Sequence, residues 1–122
     1  MKLAVPVWED RVSPVLDSAD VLIVCEVLNG ESRNRKEVYI GLGSLREKAG
    51  VIASHADVLV CGGISQLMQS YLEALDVTVH PWFMGDPVAL MEIVARGDSP
   101  GHDYYMPGTA YLHDGTWRTG GD

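Results

Sequence analysis

The spacing of apolar residues changes at Ser44. Before it lie short apolar runs separated by polar turns; after it, helical faces alternate with two further strand-like runs. Leu3-Ala-Val-Pro-Val7 is the first run. Val21-Leu-Ile-Val-Cys-Glu-Val27 is the second, β-branched and nearly continuous, as a central strand should be. Asn29-Gly30 then offers a turn pair suited to positive φ, residues 31–35 read as a polar loop, and Lys36-Glu-Val-Tyr-Ile40 reads as the return strand. The first three strands are expected to form an antiparallel meander.

Beyond Ser44 the period is that of helices. Ser44-Leu-Arg-Glu47 has capping-box spacing, and Leu45, Ala49 and Ile52 share a face, which predicts a helix over residues 45–54. Residues 56–61 form the next buried run, followed by Gly62-Gly63-Ile64-Ser65 and a helix whose Met68, Tyr71, Leu72 and Leu75 share a face. Val77-Thr-Val79 is a short strand, and Asp86-Pro87 supplies an N-cap and first-turn proline for a third helix closed by Arg96-Gly97. The expected fold is α/β: a mixed five-stranded sheet in the order 3-2-1-4-5 with three helices, because right-handed crossovers place the fourth strand beside the first. Strands one, four and five would then be parallel. Their carboxyl ends would share one edge, so residues 8–17, 62–65 and 80–86 should converge where open α/β sheets place their ligands.

This domain is expected to occupy residues 1–97. Residues 98–122 form a Gly- and Tyr-rich tail, in which residues 109–113 and 116–119 flank Asp114-Gly115, a hairpin signal. Either a small ribbon forms there or the segment stays mobile; a two-stranded ribbon is marginal alone, so order would imply docking on the domain or on another chain.

Charge and cysteine usage narrow the function. Nine Lys and Arg against seventeen Asp and Glu leave a net charge of −8, which argues against binding phosphate backbones, so no nucleic-acid partner is expected. The first apolar run is too short for a signal-peptide core and none approaches the roughly 20 residues that span a bilayer, so no membrane partner is expected either. With only Cys25 and Cys61, both inside apolar runs, no disulfide framework is present. A cytoplasmic location is the expectation.

Candidate site residues cluster at the shared edge. Gly62 and Gly63 allow backbone N–H groups to approach an anion, with Ser65 capping the next helix or bonding the ligand; equally, they make a tight turn with Ser65 as its N-cap. Cys61 ends its strand beside a helix N-terminus and could ligate a soft metal, or be a small buried hydrophobe. His80 could bind a metal or face an anionic cluster, or simply be solvated. In the opening loop Asp17 could cap a turn and Arg11 bond a carboxylate of its own loop. Ser13-Pro14 is a turn former, and Ser13 has no evident His partner to make it a nucleophile. The run Leu3 to Val7 carries no carboxylate, which counts against a metal-dependent nuclease.

The opening Met-Lys-Leu-Ala-Val-Pro-Val-Trp-Glu, the segment Arg11-Val-Ser-Pro-Val-Leu-Asp17 and Val58-Leu-Val-Cys-Gly-Gly-Ile-Ser65 resemble the dinitrogenase iron–molybdenum cofactor biosynthesis family, over about residues 1–97. The resemblance implies a ribonuclease H-like fold without nuclease activity. It also implies a non-enzymatic protein that binds or carries an iron–sulfur or iron–molybdenum type cluster, or its precursor. In that reading Arg11 and the Gly62 and Gly63 amides offset cluster charge, Trp8 and Trp82 exclude water, Ser13, Asp17 and Ser65 complete the wall, and Cys61 or His80 supplies a covalent ligand. Many members end in Met-Pro-Gly-Cys preceded by another Cys, whereas here Tyr105-Met-Pro-Gly108 leads to Thr109 and both thiols are missing. That departure favours an alternative: an interaction or regulatory module of the same fold that has lost the cluster and contacts a protein partner or a second copy.

Overall fold

The computed structural model describes residues 1–41 and 43–113. Strand β1 (Lys2–Trp8) lies at the centre of the sheet, paired antiparallel with β3 (Val21–Leu28) and parallel with β5 (Val58–Val60). Strand β4 (Glu31–Tyr39) extends the sheet antiparallel to β3, and β6 (Thr78–His80) extends it parallel to β5. The two-residue β2 (Arg11–Val12) folds back onto the end of β1. The sheet is thus mixed and six-stranded, in the order β4-β3-β1-β5-β6 with β2 hanging from β1. The expected five strands in the order 3-2-1-4-5 are corrected on this point.

The unforeseen β2 follows from a turn that lacks the usual residues. Glu9 (φ 48°) and Asp10 (φ 63°) both adopt left-handed backbone between the paired Trp8 and Arg11. A two-residue hairpin loop with positive φ at both centres prefers Asn-Gly or Asp-Gly, so Glu-Asp gave no signal. Asn29 (φ 53°) and Gly30 (φ 77°) make the expected turn between Leu28 and Glu31. The expected loop over residues 31–35 is strand instead. Strand β4 begins directly after Gly30, and a register shift opposite Val24 and Glu26, with Asn34 at φ 55°, absorbs an extra residue. Its polarity is that of an exposed sheet edge, where charge discourages pairing with other chains.

Strict alternation along the central strands sends side chains to two cores. Ala4, Leu22, Leu59 and Cys61 face helices α1 (Leu45–His55) and α2 (Gln66–Ala74), packing against Ala49, Ile52, Met68 and Leu72. Leu3, Val5, Val58 and Val60 face the other way, onto Leu90, Met91 and Val94 of α3 (Pro87–Ala95). Among the described residues, two helices cover one face and one covers the other. The Ser44–Glu47 capping box forms reciprocally (3.1 and 3.2 Å), and Asp86 caps α3 through Val88 N–H at 3.0 Å. Leu75, expected on the buried face of the second helix, is its exposed C-cap.

The second core is completed by the tail. Phe83 forms an antiparallel bridge with Tyr105, Met84 N–H donates to Tyr104 O (2.8 Å), and Met106 N–H donates to Trp82 O (3.0 Å). The expected strand over residues 109–113 is a 3-10 turn, Ala110–Leu112. It carries His113 back so that its ring stacks on Tyr105 (3.9 Å between centroids). Local turn bonding thus takes the place of a strand over residues 109–113. Asp114-Gly115 and residues 116–119 lie outside the described residues.

Candidate functional site

The three predicted segments do meet at the carboxyl ends of β1, β5 and β6, but they divide into two surfaces. On the α2 side the loop after β2 lies directly on the turn after β5. Gly63 N–H donates to Pro14 O (2.7 Å), Leu16 N–H to Gly63 O (2.8 Å) and Trp82 N–H to Gly62 O (2.9 Å). A Cβ on Gly62 would sit 2.5 Å from Ser13 O, and one on Gly63 would sit 2.9 Å from Pro14 O. Both glycines are therefore required by close backbone approach. The Gly63 amide is turned to Pro14, not to a ligand.

The N-terminus of α2 is occupied from within. Asp17 accepts from Ser65 N–H (3.0 Å) and from Ser65 Oγ (2.5 Å), while Ser65 Oγ accepts from Met68 N–H (3.1 Å). A carboxylate of the chain itself thus sits where the helix dipole would favour an external anion. Lys48 locks the same loop: its buried Nζ donates to Asp17 O (2.7 Å) and Ala19 O (2.8 Å). Burial pulls its pKa down, against the pull of Asp20 and Asp17. Two carbonyls that would otherwise be desolvated gain a charged donor.

The candidate metal ligands sit in the sheet rather than on its rim. Cys61 is fully buried in the α1–α2 core, and burial, with Asp17 adding to it, pushes its thiol far above the ordinary value. Its amide donates to His80 O (3.0 Å), which places the two residues side by side, with His80 partly buried. Cys25 lies in the α3 core, its thiol raised to about 11 chiefly by burial. Among the described residues, no three His, Cys, Asp or Glu side chains converge to hold a metal ion.

Trp82 holds a left-handed backbone (φ 73°), an outlier for a bulky residue that persists only where its surroundings fix it. Here Gly62 O, Met106 N–H and His113 Nε2 (3.1 Å to Trp82 O) fix it, with its ring over Gly63. The His113 ring also packs on Phe83 (4.5 Å between centroids), and burial lowers its pKa against the opposing Trp82 carbonyl. Protonation of His113 therefore works against tail docking.

On the α3 side the same edge is open. A cleft of about 800 Å³ runs between the β1–β2 turn, β3, β4 and the start of α3. Trp8 and Ser13 line it; Arg11, Asp17, Gly62, Gly63, Ser65, Trp82, Cys61 and His80 do not. Ser13 is buried and its hydroxyl donates to Val15 O (3.1 Å). Arg11 lies over the Trp8 ring (4.9 Å to the centroid) and 3.9 Å from Glu9. The cleft carries five carboxylates, Glu9, Asp10, Asp20, Glu37 and Asp86, and no Lys or Arg among its described lining residues. Of these, Glu9, Asp10 and Asp86 fall within the segments expected to converge, whereas Asp20 and Glu37 lie outside them. Only the register that pairs Ile23 with Glu37 brings β4 to the cleft.

Comparison with solved structures finds the same fold elsewhere. The crystal structure of PH0822 superposes with a TM-score of 0.75 at 18% identity, covering 84% of this chain and 96% of that one. The crystal structure of a protein named a "putative dinitrogenase", MJ0327 from Methanocaldococcus jannaschii, superposes with a TM-score of 0.59 at 16% identity, covering 80% and 90%. Its NMR structure gives 0.58. At these identities the likeness is one of fold. No protein-family model and no curated protein matches the sequence.

Proposed function

We propose that this chain is a non-enzymatic binding protein on a ribonuclease H-like scaffold, serving iron–molybdenum cofactor biosynthesis by engaging a protein partner rather than by ligating a cluster itself. The observation that carries the reading is the placement of both thiols: Cys61 is 0% and Cys25 1% exposed, each in a different core. An iron–sulfur cluster needs converging thiolates or imidazoles. The residues present do not fit that group, since both thiols are held protonated by burial and no three donors converge among the described residues. Five carboxylates on the open side of the edge would also repel an anionic cluster.

The link to cofactor assembly rests on the motif resemblance and on the name carried by MJ0327, a neighbour in fold. A non-enzymatic role is supported by β1, which carries no carboxylate between Leu3 and Val7, and by Ser13, whose hydroxyl is spent on Val15 O. The test is anaerobic reconstitution with iron, molybdate and sulfide, followed by absorbance and metal analysis. A protein that stays colourless supports the reading. Charge-transfer absorbance that bleaches in Cys61→Ala or His80→Ala overturns it and restores the cluster carrier.

A further inference from the structure

The cleft on the α3 side combines two features that together specify an occupant. Its floor is apolar, made by Val7, Val21, Ile23, Pro87 and Val88, while its rim carries the five carboxylates. Trp8, 50% exposed, and Val15, 45% exposed, extend the apolar surface outward. A volume of about 800 Å³ lies within the range of ligand sites.

The carboxylates do not converge on one point, since no three acidic, His or Cys side chains among the described residues could hold a single ion. A metal cation is thus a poor match, and a compact anion is repelled. Lysine and arginine side chains are amphipathic, with an aliphatic stem for an apolar floor and a charged head for an acidic rim. Several of them on one extended backbone would meet carboxylates contributed by the β1–β2 turn, β4 and the start of α3. We propose that this cleft is the docking groove for an extended, lysine- or arginine-bearing segment of a partner protein. The proposal rests on the reading of the chain as an interaction module, and names the chemistry of its partner.

The test uses the full chain and two synthetic peptides, one alternating lysine with leucine and one alternating glutamate with leucine. Fluorescence anisotropy of labelled peptide, with tryptophan emission that is lost on Trp8→Phe as a second signal, reads binding. The lysine peptide is expected to bind and the glutamate peptide not, with affinity falling as salt is raised. A variant combining Glu9→Gln, Asp10→Asn, Asp20→Asn and Glu37→Gln is expected to lose at least about tenfold in affinity. A control combining Glu31→Gln, Glu73→Gln, Asp76→Asn and Glu92→Gln, equal in charge change but outside the cleft, is expected to change it less than about twofold. Circular dichroism of both variants separates binding from folding. Equal losses in the two variants, or spermine binding as tightly as the peptide, overturn the proposal. If the peptide fails while reconstitution also gives no cluster, the occupant is wrong and the interaction module stands; a reconstituted cluster removes the module itself.

Discussion

The two sides of the sheet edge differ in what their polar groups do. On the α2 side the Asp17 carboxylate accepts from Ser65, Lys48 donates to the Asp17 and Ala19 carbonyls, and Gly63 is bonded to Pro14 and Leu16, so that surface is closed. On the α3 side Glu9, Asp10, Asp20, Glu37 and Asp86 bring negative charge to an open cleft. Residues whose bonds are complete hold a fold together, whereas like charge gathered around an apolar floor is complementary to a counter-charge brought by a partner. The difference separates scaffold from contact surface within one edge.

Substitution should separate them in the same way. The largest effect is expected on the closed side, where Gly62→Ala drives a Cβ to 2.5 Å from Ser13 O and 3.0 Å from Pro14 O. Overpacking against backbone cannot relax by a rotamer change, so urea denaturation should give a loss of about 3 kcal/mol. A near-neutral result would mean that the loop after β2 does not rest on that turn. Asp17→Ala removes both bonds to Ser65, and a loss of about 1–2 kcal/mol is expected by the same measurement.

The turn between β1 and β2 should respond in the opposite direction. Replacing Glu9-Asp10 by Asn-Gly relieves two left-handed residues and should add about 1 kcal/mol of stability while weakening the lysine peptide. Stability without loss of binding would detach the strained turn from the cleft. Neutralising Glu37, an exposed carboxylate of the cleft, should leave stability within about 0.5 kcal/mol by the same denaturation.

Acid sharpens the contrast on the tail. The folded-state pKa of His113 is depressed by burial, so the docked tail favours the neutral ring. Its contribution is fully present above the ordinary value of about 6.5 and is lost as pH falls through the lower folded value. Protection of the amides in residues 101–113, taken relative to the intrinsic exchange rate at each pH, should fall below about pH 6.5, and His113→Phe should remove that dependence. Protection that does not change with pH would show that the ring stack does not control docking.

Much of this edge was legible in the chain. The Ser44–Glu47 box, the Asp86-Pro87 start of α3 and the Asn29-Gly30 turn are short-range signals, and each formed as read. So did the meeting of residues 8–17, 62–65 and 80–86, because right-handed crossovers leave few ways to join those strands. The Glu9-Asp10 turn gave no signal, since its left-handed backbone is imposed by the pairing of Trp8 with Arg11 against local preference. Strand β4 was read too short because an exposed edge strand has the composition of a loop.

For the site, residue types named candidates without saying which groups had already found partners. A glycine pair beside a serine can cradle an anion or receive another loop, and only the position of Pro14 O distinguishes them. Residue order and period by themselves determined the strand–helix alternation, the helix caps and the convergence of three loops, because these depend on contacts close in sequence and on chain handedness. The tertiary structure alone decided that Asp17 fills the α2 N-terminus, that Cys61 is sealed in the core, and that Asp20, Glu37 and Asp86 share a cleft with Glu9 and Asp10. Hydrogen bonding and charge act over a few ångströms of space, and which residues fall within that reach depends on strand register, which local sequence does not encode.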